Sequence, residues 1–148
     1  MVYRKIIMLF YNNMKLLFLI FIFNFQSNYD ISPKDLNQIF NQKLSENIIL
    51  DVRTKEECSE SKIPGSFNID YYSENFKDNL DKLNKNLNYY IYCRSGNRSG
   101  KTVIILKEKG FKNVFNLEGG ILAWKKENYI TNQKKRDYSS NLFNFYVK

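Results

Sequence analysis

Residues 89–99 read YYIYCRSGNRS, and this stretch decides how the chain folds. Its first four residues are apolar or aromatic, as in a strand that is buried on both faces. Cys93 follows that run, then a short loop with one glycine, and a helical pattern begins near Ser99. In such a turn, the N–H groups of the loop and of the first helical turn point at one spot, which favours negative charge. The arrangement predicts that Cys93 is a nucleophilic thiolate.

Two arginines of the same turn, Arg94 and Arg98, add positive charge to it. Positive surroundings and helix N-termini lower the pKa of a cysteine from about 8.5 to roughly 3.5–7.5. The chain has no histidine, which excludes Cys-His and Ser-His-Asp catalysis and every metal site that needs an imidazole ligand. We therefore expect backbone N–H groups and the two arginines, rather than an imidazole base, to activate Cys93.

The only other cysteine is Cys58. Two cysteines alone make neither a disulfide framework nor a structural zinc site, so the sequence predicts no metal and no cofactor.

Outward from the cysteine loop, short apolar runs alternate with helical patterns. Ser32 and Pro33 are predicted to open one helix, as its N-cap and its first helical residue. Thr54 is the predicted N-cap of a second helix, which runs to Cys58. The helix that follows Cys93 is predicted to end at Gly110. The predicted strands cover residues 29–31, 48–52, 66–69, 89–92 and 114–117, and further helices cover residues 72–84 and 119–124. The residues expected to point inward from the helices include Phe76, Leu80, Leu83, Val103, Ile104, Leu106 and Phe111.

This alternation predicts an α/β fold with a parallel sheet covered by helices on both faces, a three-layer arrangement. In open sheets of this kind the site lies at the carboxyl ends of the strands. Asp51, Cys93 and Glu118 each lie at or just beyond such an end. The topology and the chemistry of the loop therefore predict the same place for the site.

The formal net charge of +8 lies mostly in the two ends of the chain. Residues 29–130 hold sixteen basic and fourteen acidic residues, a net charge of only +2. A nearly balanced domain does not have the basic surface of a nucleic-acid-binding protein, so no nucleic-acid partner is expected.

The amino end has the pattern of a targeting segment. Lys15 precedes eight unbroken apolar residues, 16–23, which resembles the charged and hydrophobic regions of a secretory signal. We interpret residues 1–27 as a signal peptide or an N-terminal membrane tether through residues 16–25, and expect an exported, periplasmic or secreted protein. A buried helix of the fold is the alternative. Residues 28–130 form the predicted domain, and residues 131–148 a C-terminal tail.

Several short motifs, in this order and spacing, resemble the rhodanese-like family of sulfurtransferases, specifically its small single-domain exported members. They are LDVR with EE at residues 50–57, IPGSFNI at 63–69, CRSGNRS at 93–99, GF at 110–111 and LEGGILAW at 117–124. The resemblance spans about residues 29–130. Each motif alone is weak, and their combination identifies the chain as similar to that family.

The resemblance implies a five-stranded parallel sheet and a two-step thiosulfate sulfurtransferase reaction. Cys93 would take a sulfane sulfur from a donor such as thiosulfate or a persulfide, and cyanide or a thiol would remove it. The same resemblance implies that Asp51 and Arg53 support the loop and do not react. It also implies that the active-site loop, whose arginines attract the anionic donor, consists of Arg94, Ser95, Gly96, Asn97, Arg98 and Ser99.

Two other functions stay open at this point. One is a non-catalytic sulfur-carrier or protein-binding module, although such modules often lack the cysteine that is present here. The other is a cysteine-based phosphatase or arsenate reductase, but the related enzymes of this fold use a loop one residue longer. Four residues separate Cys93 from Arg98, which favours a single sulfur atom as the transferred group.

Cys58 stands where the family usually has an aromatic residue, and Lys62 where it usually has histidine. We expect Cys58 to be a small buried apolar residue that faces the core and is inert. The alternative is a resolving thiol that forms a disulfide with Cys93. Lys62 is expected to have little effect on catalysis.

Overall fold

The computed structural model describes residues 29–42 and 45–131. In chain order its elements are β1 (Asp30–Ile31), α1 (Pro33–Asn41), β2 (Asn47–Asp51), α2 (Lys55–Glu60), β3 (Phe67–Asn68), α3 (Phe76–Asp81), β4 (Asn88–Tyr92), α4 (Asn97–Glu108), β5 (Val114–Leu117) and α5 (Gly120–Lys126). The predicted signal or tether segment, and the predicted tail beyond Thr131, lie outside the described residues. None of the helices in the two described ranges has the length and apolar character needed to span a lipid bilayer.

The five strands form one parallel sheet in the order β1-β5-β4-β2-β3. Side chains alternate between its two faces along each strand. Tyr89 and Ile91 of β4 pack with α3 and α4 on the first face, whereas Tyr90 and Tyr92 pack with α1 and α5 on the second. The predicted fold class, a three-layer α/β arrangement with helices on both faces, is confirmed.

The helix ends follow from local residues. Ser32 caps α1 by accepting a hydrogen bond from the Asp35 N–H, as predicted. At the end of α4, Gly110 has a φ of 87°, and its N–H and that of Phe111 donate to the carbonyls of Lys107 and Leu106. This is the paired hydrogen bonding of a Schellman motif, which needs the left-handed conformation that glycine adopts without strain.

Two predictions about helices were wrong in detail. The helix expected over residues 72–84 covers only Phe76–Asp81. The Asp70 carboxylate and carbonyl accept the N–H groups of Tyr72 and Ser73, which holds residues 70–73 in a turn. Ile104, expected to point inward, is 56% exposed, because the buried side of α4 follows Ser99, Thr102, Val103 and Leu106.

A buried ion pair fastens the end of β2 to α2. The Arg53 guanidinium donates to both carboxylate oxygens of Asp51, at 2.6–3.1 Å, and to the carbonyls of Glu57 and Ser61. Both side chains are almost completely buried. The pair thereby joins the end of β2 to the carbonyls of Glu57 and Ser61, within and just after α2.

Removing one charge of this pair should destabilise the protein strongly, since the other charge stays buried without its counterion. We expect Asp51→Asn to lower the free energy of unfolding by about 3 kcal/mol. The matched control is Asp81→Asn, which breaks the exposed pair with Lys109 and should cost less than about 1 kcal/mol. Denaturant unfolding of both variants measures the difference, and equal losses would contradict the role assigned to the buried pair.

Candidate active site

The sulfur of Cys93 lies within the turn between β4 and α4. Cys93 follows the last residue of β4, Gly96 turns the chain with a φ of 94°, and α4 begins at Asn97. The Sγ atom accepts hydrogen bonds from the Gly96 N–H at 3.2 Å and from the Ser99 hydroxyl at 3.4 Å. Cys93 is 1% exposed, so the sulfur lies at the bottom of the loop. The convergence of loop N–H groups predicted from the sequence is present.

Burial is the largest influence on this thiol and raises the pKa of Cys93. Hydrogen bonds from the Ser99 hydroxyl and from the N–H groups of Ser99, Ser95 and Gly96 act in the opposite direction and outweigh it, so the net effect is a lowered pKa. A buried anion is tolerated only where hydrogen bonds replace its hydration. The loop therefore favours a thiolate in a site that almost excludes water.

The arginines contribute differently from what the sequence predicted. The Arg98 guanidinium donates two hydrogen bonds of 2.7 Å to the two carboxylate oxygens of Glu57, and its charge is offset there. Arg94 is exposed and makes no ion pair with another described residue. The dominant stabilisers of the Cys93 thiolate are accordingly the loop N–H groups and Ser99, with the arginines at the rim of the site.

Glu57 is a site residue whose role sequence reasoning missed. The hydrogen bonds from Arg98 lower the pKa of Glu57 to about 2, so the carboxylate is charged over the physiological range. Its backbone and side chain also form a capping box with Thr54 at the start of α2. Glu57 therefore connects α2 to Arg98, 41 positions further along the chain. Of these contacts, only the capping box with Thr54 can be recognised from neighbouring residues in the sequence.

The start of α5 supports the other side of the loop. The N–H groups of Ile121 and Leu122 donate to the carbonyls of Cys93 and Arg94, at 2.9 and 3.2 Å. Gly120 has a φ of 58°, and a Cβ atom there would lie 2.5 Å from the Cys93 carbonyl oxygen. Glycine is thus required at position 120 for the close approach of two backbone segments.

Asp51, Arg53 and Glu118 lie near the loop without contacting the sulfur. Arg53 stacks over the ring of Tyr92 at 5.3 Å, on the second face of the sheet, whereas Cys93 packs within the core of the first face. Glu118 is exposed beyond the end of β5. The strand ends therefore bring these residues to one edge of the sheet, and the pleat separates the ion pair from the thiol.

Cys58 does not have the buried, apolar surroundings that we expected. It is only partly buried, and its thiol donates to Asp51 Oδ2 at 3.1 Å. Burial, followed by the charge of Asp51 and the hydrogen bond to it, raises the pKa of Cys58 to about 12. The thiol lines an open pocket of about 380 Å³ together with Lys55, Ser59 and Lys62. The Cys58 thiol is hydrogen-bonded to Asp51 on the second face of the sheet, whereas Cys93 packs in the core of the first face. This separation does not favour a disulfide between the two cysteines.

The family model described as Rhodanese-like domain matches residues 32–127 of this chain. Among curated proteins, a tRNA uridine(34) hydroxylase of Pelagibacter ubique is 35% identical over 113 residues, which cover 76% of this chain and 35% of that protein. A protein named sulfurtransferase in Allochromatium vinosum is 30% identical over 96 residues, covering 60% of this chain and 88% of that one. The chain spans about a third or less of the length of several of these curated relatives.

Solved structures show the same architecture. A rhodanese-like domain protein from Staphylococcus aureus is 37% identical, with a TM-score of 0.57, over 64% of this chain and 89% of that one. A rhodanese-related protein from Thermoplasma volcanium is 28% identical, with a TM-score of 0.62, over 71% of this chain and 98% of that one. Both likenesses cover most of the neighbouring protein.

The source of thiol activation can be tested by alkylation of Cys93 with iodoacetamide over a range of pH, in a Cys58→Ser background. Because the Ser99 hydroxyl donates to the sulfur, Ser99→Ala should raise the pKa of Cys93 and move the rate profile to higher pH. The matched control is the double variant Glu57→Gln, Arg98→Gln, which removes both charges of the rim pair together. We expect it to shift the profile less, and a shift as large as that of Ser99→Ala would contradict our assignment.

The close packing of α5 on the loop gives a second test. Gly110 and Gly120 both have positive φ, so alanine at either position costs about 1 kcal/mol of backbone strain. A Cβ at Gly110 has no neighbour within 4 Å, whereas one at Gly120 meets the backbone of Cys93 and Arg94. Overpacking should cost Gly120→Ala about 2 kcal/mol more.

Gly120→Ala should also slow alkylation of Cys93 at neutral pH, because the displaced loop no longer directs its N–H groups at the sulfur. Gly110→Ala should leave that rate unchanged. Unfolding curves and alkylation rates measured side by side check both effects. Equal behaviour of the two variants would show that the contact between α5 and the loop is unimportant.

Proposed function

This chain belongs to the rhodanese-like domain family, and from that premise we propose that it is a sulfurtransferase that carries a sulfane sulfur as a persulfide on Cys93. The observation that carries the proposal is the buried position of the Cys93 Sγ, which accepts hydrogen bonds from the Gly96 N–H and the Ser99 hydroxyl. A similar protein of Bacillus subtilis is named putative sulfurtransferase YtwF, and the similar protein of Allochromatium vinosum is named sulfurtransferase.

The first half-reaction begins with a donor such as thiosulfate. The Cys93 thiolate attacks the outer sulfur of the donor and forms a new S–S bond. The S–S bond of thiosulfate breaks, and sulfite leaves with its electron pair. The exposed Arg94 contributes positive charge at the rim for the approach of the anionic donor.

The second half-reaction returns the thiolate. A nucleophile, cyanide or a thiol, attacks the outer sulfur of the persulfide, and the bond to Cys93 Sγ breaks with its electron pair on Sγ. The Gly96 N–H and the Ser99 hydroxyl donate to Sγ and stabilise the thiolate that this step releases. Such a covalent intermediate predicts ping-pong kinetics.

The length of the loop supports sulfur transfer over phosphoryl or arsenate chemistry. The Gly96 N–H and the Ser99 hydroxyl converge on Sγ itself, at 3.2 and 3.4 Å. A loop that closes on one sulfur atom suits an outer atom of the same size better than a tetrahedral oxyanion with several oxygens. The alternative function, a sulfur-carrier or protein-binding module without turnover, would use the same loop. An experiment is therefore needed to distinguish it from an enzyme.

The test is thiocyanate formation from thiosulfate and cyanide by the full chain, with the persulfide followed by intact-protein mass spectrometry. We expect turnover and a mass increase of one sulfur atom in the wild type, and loss of both in Cys93→Ser. Cys58→Ser is the matched control and should retain turnover, since the Cys58 thiol is bonded to Asp51 away from the loop. A folded wild-type protein that never acquires the sulfur would refute the proposal and favour the binding-module function.

A further inference from the structure

The ring of Tyr72 stands beside the cysteine loop and is largely open to solvent. It is 70% exposed, and the Cζ atom of Arg98 lies 5.5 Å from its centroid. Large aromatic rings usually lose most of their surface to the core or to an interface. The Tyr72 ring therefore offers apolar surface next to the loop of the nucleophile.

Tyr72 is exposed but held in place. Its N–H donates to Asp70 Oδ1 at 2.9 Å, in the turn that shortens α3. Its ring meets the ring of Tyr71 edge to face at 5.4 Å, and Tyr71 in turn contacts the buried ring of Phe76 at 5.0 Å. This series of contacts connects the ring to the core, so Tyr72 presents a fixed apolar surface.

Cys93 is buried, so an incoming molecule first meets the exposed residues of the cysteine loop and of the segments next to it. On one side is Tyr72, next to an Arg98 whose charge is offset by Glu57. On the other side is Leu122, 48% exposed, whose N–H donates to the Arg94 carbonyl. Arg94 itself is exposed and forms no ion pair within the described residues. The surface around the loop thus offers apolar area from Tyr72 and Leu122 and the positive charge of Arg94.

We propose that Tyr72 is a specificity-determining residue that contacts the acceptor, and that the preferred acceptor is a small organic thiol with a planar apolar group and a carboxylate. The planar group packs on the Tyr72 ring, and the carboxylate pairs with Arg94. This inference rests on the proposed sulfurtransferase function and adds to it the class of acceptor. Cyanide has neither a planar apolar group nor a carboxylate, so it gains nothing from either contact.

The step itself needs no further reagent. The acceptor thiolate attacks the outer sulfur of the Cys93 persulfide and forms an S–S bond, while the bond between that sulfur and Cys93 Sγ breaks. The electron pair stays on Sγ, which the loop holds as thiolate, and the acceptor leaves as a persulfide. Atoms and charge balance, with one sulfur transferred and no external oxidant.

The experiment isolates the acceptor step. Full-length protein is loaded with thiosulfate, separated from excess donor, and mixed with one of three acceptors. 4-Mercaptobenzoate has the ring and the carboxylate, 3-mercaptopropionate has the carboxylate without the ring, and cyanide has neither. The loss of protein-bound sulfur is followed by mass spectrometry for wild type, Tyr72→Ala, Tyr72→Phe and the control Ile104→Ala, an exposed apolar residue on the outer side of α4.

We expect Tyr72→Ala to lower the second-order rate constant for 4-mercaptobenzoate by about three- to tenfold, the range of an aromatic contact. The rate constants for cyanide and 3-mercaptopropionate should change less than about twofold, and Tyr72→Phe, which keeps the ring, should behave as wild type. Ile104→Ala should leave all three unchanged. Each acceptor is compared with itself across variants, so differences in thiol acidity cancel.

Equal losses with all three acceptors would overturn the proposal, since Tyr72 would then act only on the loop. Unchanged rates in Tyr72→Ala would overturn it as well. In both cases the protein still loads and transfers sulfur, so the proposed function would stand. A wild-type protein that never loads would instead show that the proposed function itself has failed.

Discussion

The burial of the Cys93 sulfur, whose pKa the loop nevertheless lowers, is the constraint on which the rest of the site depends. A thiolate that is almost removed from water needs hydrogen bonds in place of hydration. The loop supplies them from Gly96, Ser95 and Ser99, and it does so only because Gly96 turns the chain with a positive φ directly before α4. The end of β4, the turn at Gly96 and the start of α4 therefore act together, and their geometry lowers the pKa of Cys93.

The helices α2 and α5 hold the cysteine loop in position from opposite sides. Glu57 of α2 binds Arg98 with two short hydrogen bonds, and α2 is itself fixed by the buried pair of Asp51 and Arg53. The first turn of α5 binds the carbonyls of Cys93 and Arg94. Electrostatic contacts on one side and close backbone packing on the other leave the loop little freedom, which is the preorganisation that stabilising a reacting anion requires.

Most of the architecture could be predicted from local patterns, because each apolar run and each cap acts within a few residues. The position of Cys93 at a strand end and the cap by Ser32 are of this kind. The spacing of apolar residues predicted a helix from residue 72, but Asp70 accepts the N–H groups of Tyr72 and Ser73 and holds them in a turn, so α3 is shorter. Similarly, the pairing of Arg98 with Glu57 joins residues 41 positions apart, and no local pattern reports it. The hydrogen bond of Cys58 to Asp51 needed the tertiary structure for the same reason.

The contrast between the two thiols bears on how long a loaded protein survives. Cys58 remains protonated up to a pKa of about 12, and its sulfur is hydrogen-bonded to Asp51 on the second face of the sheet, whereas Cys93 lies within the first-face core. Within the described residues, a persulfide on Cys93 therefore meets no competing thiolate of its own chain that could discharge it as a disulfide. Under the proposed function, the lifetime of the Cys93 persulfide is therefore set by encounters with external acceptors and not by attack from Cys58.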